Sequence, residues 1–317
     1  MPLTREFKWS DTRKNIPEIT VAYTNFWSGS DSERYFTKFI SHHFGPVRVV
    51  KAQEEPDLLF ASCFGPIKNA MNSNANSKIF YYGENLNRWP PYNDDALINE
   101  IFNLAIGFKA TDLRGSKHLH FPNWMTYYPF YGASPDNNLI IALRNLRSHN
   151  MRIEKNMLAT LVARHDMNGV RKRICMAFAN HGKVHAPGPF FNNVPAINPG
   201  VESKIEFISK SIFNICPENS KFEGYHTEKI FQALEAGTIP VYWGVGPAEP
   251  LIINPKCYIF HDGSNRSDQK IKEVILDPCK LLNMLNTDPF KSSAFDKIKT
   301  DYDNLRDCLG YLLYSEK

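Results

Sequence analysis

The first half of the chain repeats one arrangement: a short apolar or alternating run, then a polar loop or a helix-like stretch. The runs are EITVAYTNFW, VRVVKA, DLLFAS, KIFYYGE and LAIGF, and the clearest helix-like stretch between them is SDSERYFTKFISHHF. Short runs bounded by polar segments read as strands, and strands alternating with helices read as an α/β domain with a largely parallel sheet. The second half resumes the pattern with MLATLVA, the helical NGVRKRICMAFANHG, the Pro- and Gly-rich loop HAPGPFFNNVPAINPG, the helical ESKIEFISKS and the strand IFNICPE; CYIFHD and DQKIKEVIL then read as a strand and a helix. A chain of 317 residues is too long for one ordinary core and suits two domains of ~150 residues. The segment ASPDNNLIIALRNLRSHNMRIEKNMLATLVARHD carries charge at helical spacing and ends in an apolar run, which puts the expected boundary near residue 150. The expected fold class is therefore α/β, with two Rossmann-like domains, 1–150 and 151–317, facing each other across a cleft; a C-terminal helix that packs back on the first domain, as such folds often have, is an open alternative. No repeat of solenoid period and no low-complexity tract is present.

Charge narrows the function classes. The formal charge of +4 comes from dispersed Lys and Arg, with no basic run that would track a nucleic-acid backbone, so an anionic small substrate fits better than DNA. The six cysteines are scattered without metal-ligand or redox spacing and read as reduced thiols, mostly in cores. The opening MPLTREFKWSDTRKN lacks the apolar stretch of a signal peptide, and no uncharged apolar run of ~18 residues could span a bilayer. The expected location is cytoplasmic, including the inner face of a membrane.

The stretch EGYHTEKIFQALEAGTIPVYWG, Glu223 to Gly244, reads as a loop, an amphipathic helix, a glycine stop and an apolar strand. Thr227 is the expected N-cap, Ile230, Phe231 and Leu234 share one helical face, and Gly237 supplies the left-handed stop. Lys229 falls in the first turn, where the macrodipole disfavours a cation. A helix starting beyond the carboxyl end of the strand IFNICPE lies where open α/β sheets bind ligands, so Lys229 reads as a phosphate partner awaiting a diphosphate. An exposed lysine at such a place costs only a few tenths of a kcal/mol, so the bland reading also stands at this point.

With Glu218, Asn219, Ser220, Tyr225, Thr227, Glu228, Lys229, Pro240, Val241 and Gly244 in register, the segment FNICPENSKFEGYHTEKIFQALEAGTIPVYWG resembles the donor-binding signature of the α-1,3-fucosyltransferase family. KIFYYGENLNRWPPYND, with FNLAIGF and HLHFPNWMTYYPF, looks like the acceptor-domain segment of bacterial members, and Glu84 occupies the place of their catalytic carboxylate. Arg171 in LVARHDMNGVRKR falls where the family keeps a donor-phosphate arginine. The similarity runs from about Ile19 to about His261. It implies a GT-B architecture, GDP-β-L-fucose as donor, no essential divalent metal, and inverting transfer to a galactose- or GlcNAc-containing oligosaccharide, free or lipid-linked, with O3 of GlcNAc in an N-acetyllactosamine-type glycan as leading acceptor. Pro217, where Phe is usual, and His226, where a small β-branched residue is common, depart from the pattern.

The resemblance makes Glu84 the general base, Arg171 and Lys229 the diphosphate partners, and Asn219, Tyr225, Glu228 and Glu218 the remaining donor-binding residues. Glu218 also reads as a structural carboxylate, and Tyr225 as packing beneath its loop. Trp27, Trp89, Trp124, Tyr127 and Tyr128 are candidates for an acceptor platform, each equally a core or rim aromatic. Rivals are an inactive glycan-binding module of the same fold, a transferase using another nucleotide sugar, and a metal-dependent transferase. The last would need an Asp-x-Asp motif after a strand, and the triplet Asp301-Tyr302-Asp303 lies in a helical segment instead. GVGPAE lacks the third glycine of a dinucleotide loop.

Overall fold

The computed structural model describes residues 17–27, 31–109, 117–128 and 135–315; the polar opening segment lies outside them. Two compact units are present: residues 1–130 with 299–317, and residues 131–298.

The first unit holds β1 (Ile19–Thr24), α1 (Asp31–Phe44), β2 (Val47–Val49), β3 (Leu58–Ala61), α2 (Lys68–Met71), β4 (Ser77–Tyr82), α3 (Asp95–Ile101), β5 (Leu104–Gly107) and β6 (His118–His120). The strands form one parallel sheet in the order β2-β1-β3-β4-β5-β6. All five runs read as strands are there. The sixth, HLH, is too short to show a period. β3 and β5 are buried along their whole length, as strands covered on both faces must be.

The second unit begins with α4 (Pro135–Asn150), followed by β7 (Met157–Thr160), α5 (Val170–Phe178), β8 (Val184–His185), α6 (Val201–Ser209), β9 (Ser211–Ile215), α7 (Glu228–Glu235), β10 (Ile239–Tyr242), β11 (Ile259–Phe260), α8 (Asn265–Leu276) and α9 (Pro278–Asn286). Its sheet is also parallel, in the order β11-β10-β9-β7-β8. Ile174, Phe178, Phe213, Ile239, Val241 and Ile271 anchor its core. The last helix, α10 (Ala294–Tyr314), starts in this unit, and from Lys299 onward its residues belong to the first.

The expected boundary at residue 150 needs correction, because α4 belongs to the second unit. Arg147, 4% exposed, donates to the carbonyls of Leu234 (3.0 Å), Thr238 (3.1 Å) and Leu285 (2.8 Å), and Asn150 donates to Glu235 O at 2.8 Å. These bonds tie α4 to the end of α7, the start of β10 and the end of α9.

Both sheets share one order when strands are counted within each unit: second, first, third, fourth, fifth. The direction of winding therefore reverses between β1 and β3 in the first unit and between β7 and β9 in the second. Such switch points leave a crevice beyond the strands' carboxyl ends, where ligands of open α/β sheets bind.

Candidate active site

The switch point of the second unit gathers the cations. Beyond β7, α5 opens with Asp166 accepting from the backbone amides of Arg171 (3.1 Å) and Lys172 (2.8 Å), which caps the helix and turns the Arg171 side chain inward. The guanidinium is buried and donates to His165 O (2.8 Å) and to Asn219 Oδ1 (2.9 Å), the latter in the loop beyond β9. Burial pulls the Arg171 pKa below its ordinary value, against the pull of Asp166, Glu218 and Tyr225, but an arginine stays charged.

Arg171, Lys204 and Lys229 line a small recess of about 30 Å3 whose remaining wall includes Asn214, Cys216 and Pro217. Pro217, which departs from the family pattern, is thus part of the wall.

Lys229 does not wait unpaired. Its Nζ donates to Glu218 Oε2 at 3.1 Å and to Thr227 Oγ1 at 2.7 Å. Glu218, with no exposed surface, also accepts from Thr227 N (2.8 Å), Thr227 Oγ1 (2.7 Å) and Tyr242 OH (3.3 Å). The expectation that Lys229 offends the helix dipole until a diphosphate arrives is corrected: a buried carboxylate balances it. Thr227 does occupy the N-cap, yet its hydroxyl serves Glu218 instead of the first-turn amides. Glu218 thus holds Thr227, Lys229 and Tyr242 and has no exposed surface for a donor, so the donor contact expected of it does not fit.

Glu228, half-buried, remains ionised: burial raises its pKa, but Lys229, Lys204 and local hydrogen bonds outweigh that and lower it. Lys204, on α6, donates to Gln232 Oε1 at 2.6 Å, and burial lowers its pKa against the pull of Glu228. Sequence reasoning missed Lys204, whose helix reads as an ordinary amphipathic one. Tyr225 is 1% exposed, so its ring has no free face for a sugar or base, and the donor contact expected of it does not fit; it packs beneath the loop. Asn219 is partly exposed and meets the recess through Arg171.

In the first unit Glu84 follows β4, half-buried, and Asn85 caps the short 3-10 turn Leu86–Arg88 by accepting from Asn87 N at 3.1 Å. Of the aromatic candidates, Trp124 is fully buried and Tyr128 is 6% exposed; both belong to the core and leave the acceptor platform. Trp27 is 60% exposed, while Trp89 and Tyr127 are partly exposed. Asp301 faces His120 Nδ1 at 3.4 Å, and Asp303 pairs with Lys299 and Arg306 on α10, so both carboxylates of the Asp-x-Asp triplet are engaged within the fold. Among the described residues no helix is long and apolar enough to cross a membrane, and all six cysteines are free, four of them buried.

Residues 21–127 match the family described as "Alpha-(1,3)-fucosyltransferase FucT N-terminal domain", and residues 151–272 match "Glycosyltransferase family 10 (fucosyltransferase) C-term". An alpha-(1,3)-fucosyltransferase, FucT of Helicobacter pylori, is 24% identical over 308 residues, which cover 88% of this chain and 62% of that protein. The chain thus spans less than two thirds of that relative's length. Crystal structures of an α1,3-fucosyltransferase, alone and with GDP-fucose, align with a TM-score of 0.65 at 21% and 22% identity, over 96% of this chain and 94% of theirs. That likeness establishes the fold as GT-B, in agreement with the two parallel sheets. Carried by both matched segments and by the shared fold, the chain belongs to glycosyltransferase family 10, the fucosyltransferases.

Proposed function

We propose that the protein is an α-1,3-fucosyltransferase that moves L-fucose from GDP-β-L-fucose, with inversion, to a hydroxyl of an N-acetyllactosamine-type oligosaccharide. The observation that carries this reading is the convergence of Arg171, Lys204 and Lys229 on one recess at the switch point of the second unit, inside a segment that matches the family. A relative of the same fold was solved with GDP-fucose, which supports the same donor here.

Chemistry assigns the parts. As the bond from fucose to GDP breaks, negative charge grows on the diphosphate, so cations held in place before reaction stabilise the transition state more than the ground state. Arg171 offers a planar fork already fixed by His165 O and Asn219, and Lys229 a point charge fixed by Glu218 and Thr227. Glu228 accepts from a sugar or ribose hydroxyl. Glu84, in the first unit, takes the proton from the acceptor hydroxyl as its oxygen attacks the fucose carbon from the side opposite GDP. Cations in these numbers serve the leaving group without a divalent metal.

GDP release from GDP-fucose with galactose-containing acceptors, in excess chelator and with mass-spectrometric detection of product, tests the reading. A fucosylated product is expected. Binding of glycan with no turnover of any nucleotide sugar would overturn it in favour of an inactive glycan-binding module.

A further inference from the structure

The switch point of the first unit, between β1 and β3, carries an exposed aromatic strip. Trp27, beyond β1, packs edge to face on Phe64, beyond β3, with centroids 5.6 Å apart; Phe64 packs in the same way on Trp89, beyond β4, at 5.3 Å. Trp27 is 60% exposed and Phe64 36%. The exposed guanidinium of Arg88 lies 5.2 Å from the Trp89 ring centroid. Three neighbouring strands each deliver one ring to the same end of the sheet.

The strip is built, since polar bonds fix the loops that carry it. Asn25, in the left-handed region at φ 60, donates through Nδ2 to Pro66 O (2.9 Å) and Tyr92 OH (2.9 Å) and accepts from Asn69 Nδ2 (2.8 Å). Tyr92 OH donates to Gly65 O at 2.7 Å, and Phe64 N to Asn25 O at 3.0 Å. Gly65 must be glycine for this approach, because a Cβ there would lie 2.3 Å from Asn25 Oδ1. Rings that stay exposed on a backbone fixed this firmly are held for an occupant.

Glu84 opens the segment after β4 that carries Arg88 and Trp89. The thiol of Cys63, next to Phe64, is pushed up to about 12 by burial, with the charge of Glu84 adding to the shift and that of Arg88 opposing it. A carboxylate, exposed rings and a cation at one end of the sheet match a pyranose, which presents an apolar face of C–H groups for stacking and hydroxyls around its rim for charged partners.

We infer that Trp27, Phe64 and Trp89 form the subsite that holds a hexopyranose residue of the acceptor glycan beside Glu84. The inference rests on the function proposed above and adds to it the place and chemistry of acceptor recognition. Phe64 is its least anticipated member, and Asn25 and Tyr92 position the loops.

Steady-state kinetics of Phe64→Ala and Trp27→Ala, with N-acetyllactosamine as acceptor, test it. Each variant should raise KM for the acceptor about tenfold and leave KM for GDP-fucose unchanged, and Trp27→Phe should recover most of the loss. Both side chains are substantially exposed, so neither change threatens folding, and thermal melting checks this. Titration with the glycan in the absence of donor, followed by tryptophan emission, gives a second reading, since a sugar stacked on Trp27 changes its environment. Unchanged acceptor KM in both variants of an enzyme that transfers fucose overturns the inference while leaving the proposed function intact. A wild-type protein that turns over no GDP-fucose overturns the proposed function; a glycan-induced emission change lost in Phe64→Ala would still uphold the subsite, and its persistence there would overturn it.

Discussion

Glu218 and Lys229 form one device made of two charges. The carboxylate is fully buried and the lysine tip reaches it beside Thr227, so removing the cation alone leaves an uncompensated buried charge. Lys229→Ala should therefore lower stability by about 3–5 kcal/mol in urea unfolding as well as abolish most turnover. The double change Glu218→Gln with Lys229→Met removes both charges and should regain most of the stability while turnover stays lost. Turnover regained along with stability would mean that Lys229 serves only the fold. His226, between Tyr225 and Thr227, gives a second residue-scale test. It is buried with Glu249, whose amide lies 3.3 Å and carboxylate 3.7 Å from the same ring nitrogen. Burial by itself lowers the imidazole pKa, but Glu249 and Glu218 outweigh it and the net shift is upward. A folded-state pKa above the unfolded one stabilises while the proton is bound: the contribution is complete below about pH 6.5, the unfolded value, and is lost as pH rises through the higher folded value. Thermal melts from pH 6 upward should show this decline, and His226→Gln should flatten it; an equal slope in the variant contradicts the pairing.

At the scale of elements, α7 was legible, and α4 was legible as a helix but not as part of the second unit. Ile230, Phe231 and Leu234 share a face and are all buried, each worth about 1.5–3 kcal/mol, and Gly237 ends the helix at φ 70 as a left-handed stop requires. These are local facts, written in spacing and in one glycine. The allegiance of α4 rests on Arg147 reaching carbonyls about 90 to 140 positions later in the chain, which no local pattern records. Lys204 was missed for the same reason: its role depends on Gln232 and Glu228 from another helix. Aromatic residues were legible as a set but not individually, since ring chemistry does not distinguish the buried Trp124 from the exposed Trp27. Arg147→Met should destabilise the protein by about 3 kcal/mol by leaving buried carbonyls unpaired. Lys155 closes the same region, its Nζ donating to Asn150 O, Ser209 O and Ala236 O near the ends of α4, α6 and α7. Lys155→Met should cost about 1–3 kcal/mol by the same measurement, chemical denaturation. Wild-type midpoints in both variants would contradict the stapling role.

Across the whole molecule, one winding pattern serves twice. Each unit reverses strand order between its first and third strands, and each gathers candidate site residues near that end: cations in the second unit, a carboxylate and aromatic rings in the first. The alternation of short apolar runs with helical stretches made the parallel α/β class legible, because parallel strands require crossover connections; the strand order itself was not. The two-residue β8 escaped notice, whereas β11, equally short, was legible within the apolar run CYIFHD. The proposed mechanism assigns proton removal to a residue of one unit and leaving-group stabilisation to residues of the other. The measurement that tests this most directly compares Glu84→Gln with the wild-type protein in GDP-fucose binding and in transfer to N-acetyllactosamine. The account predicts unchanged donor affinity with kcat reduced about 100- to 10,000-fold; wild-type kcat in Glu84→Gln would contradict it.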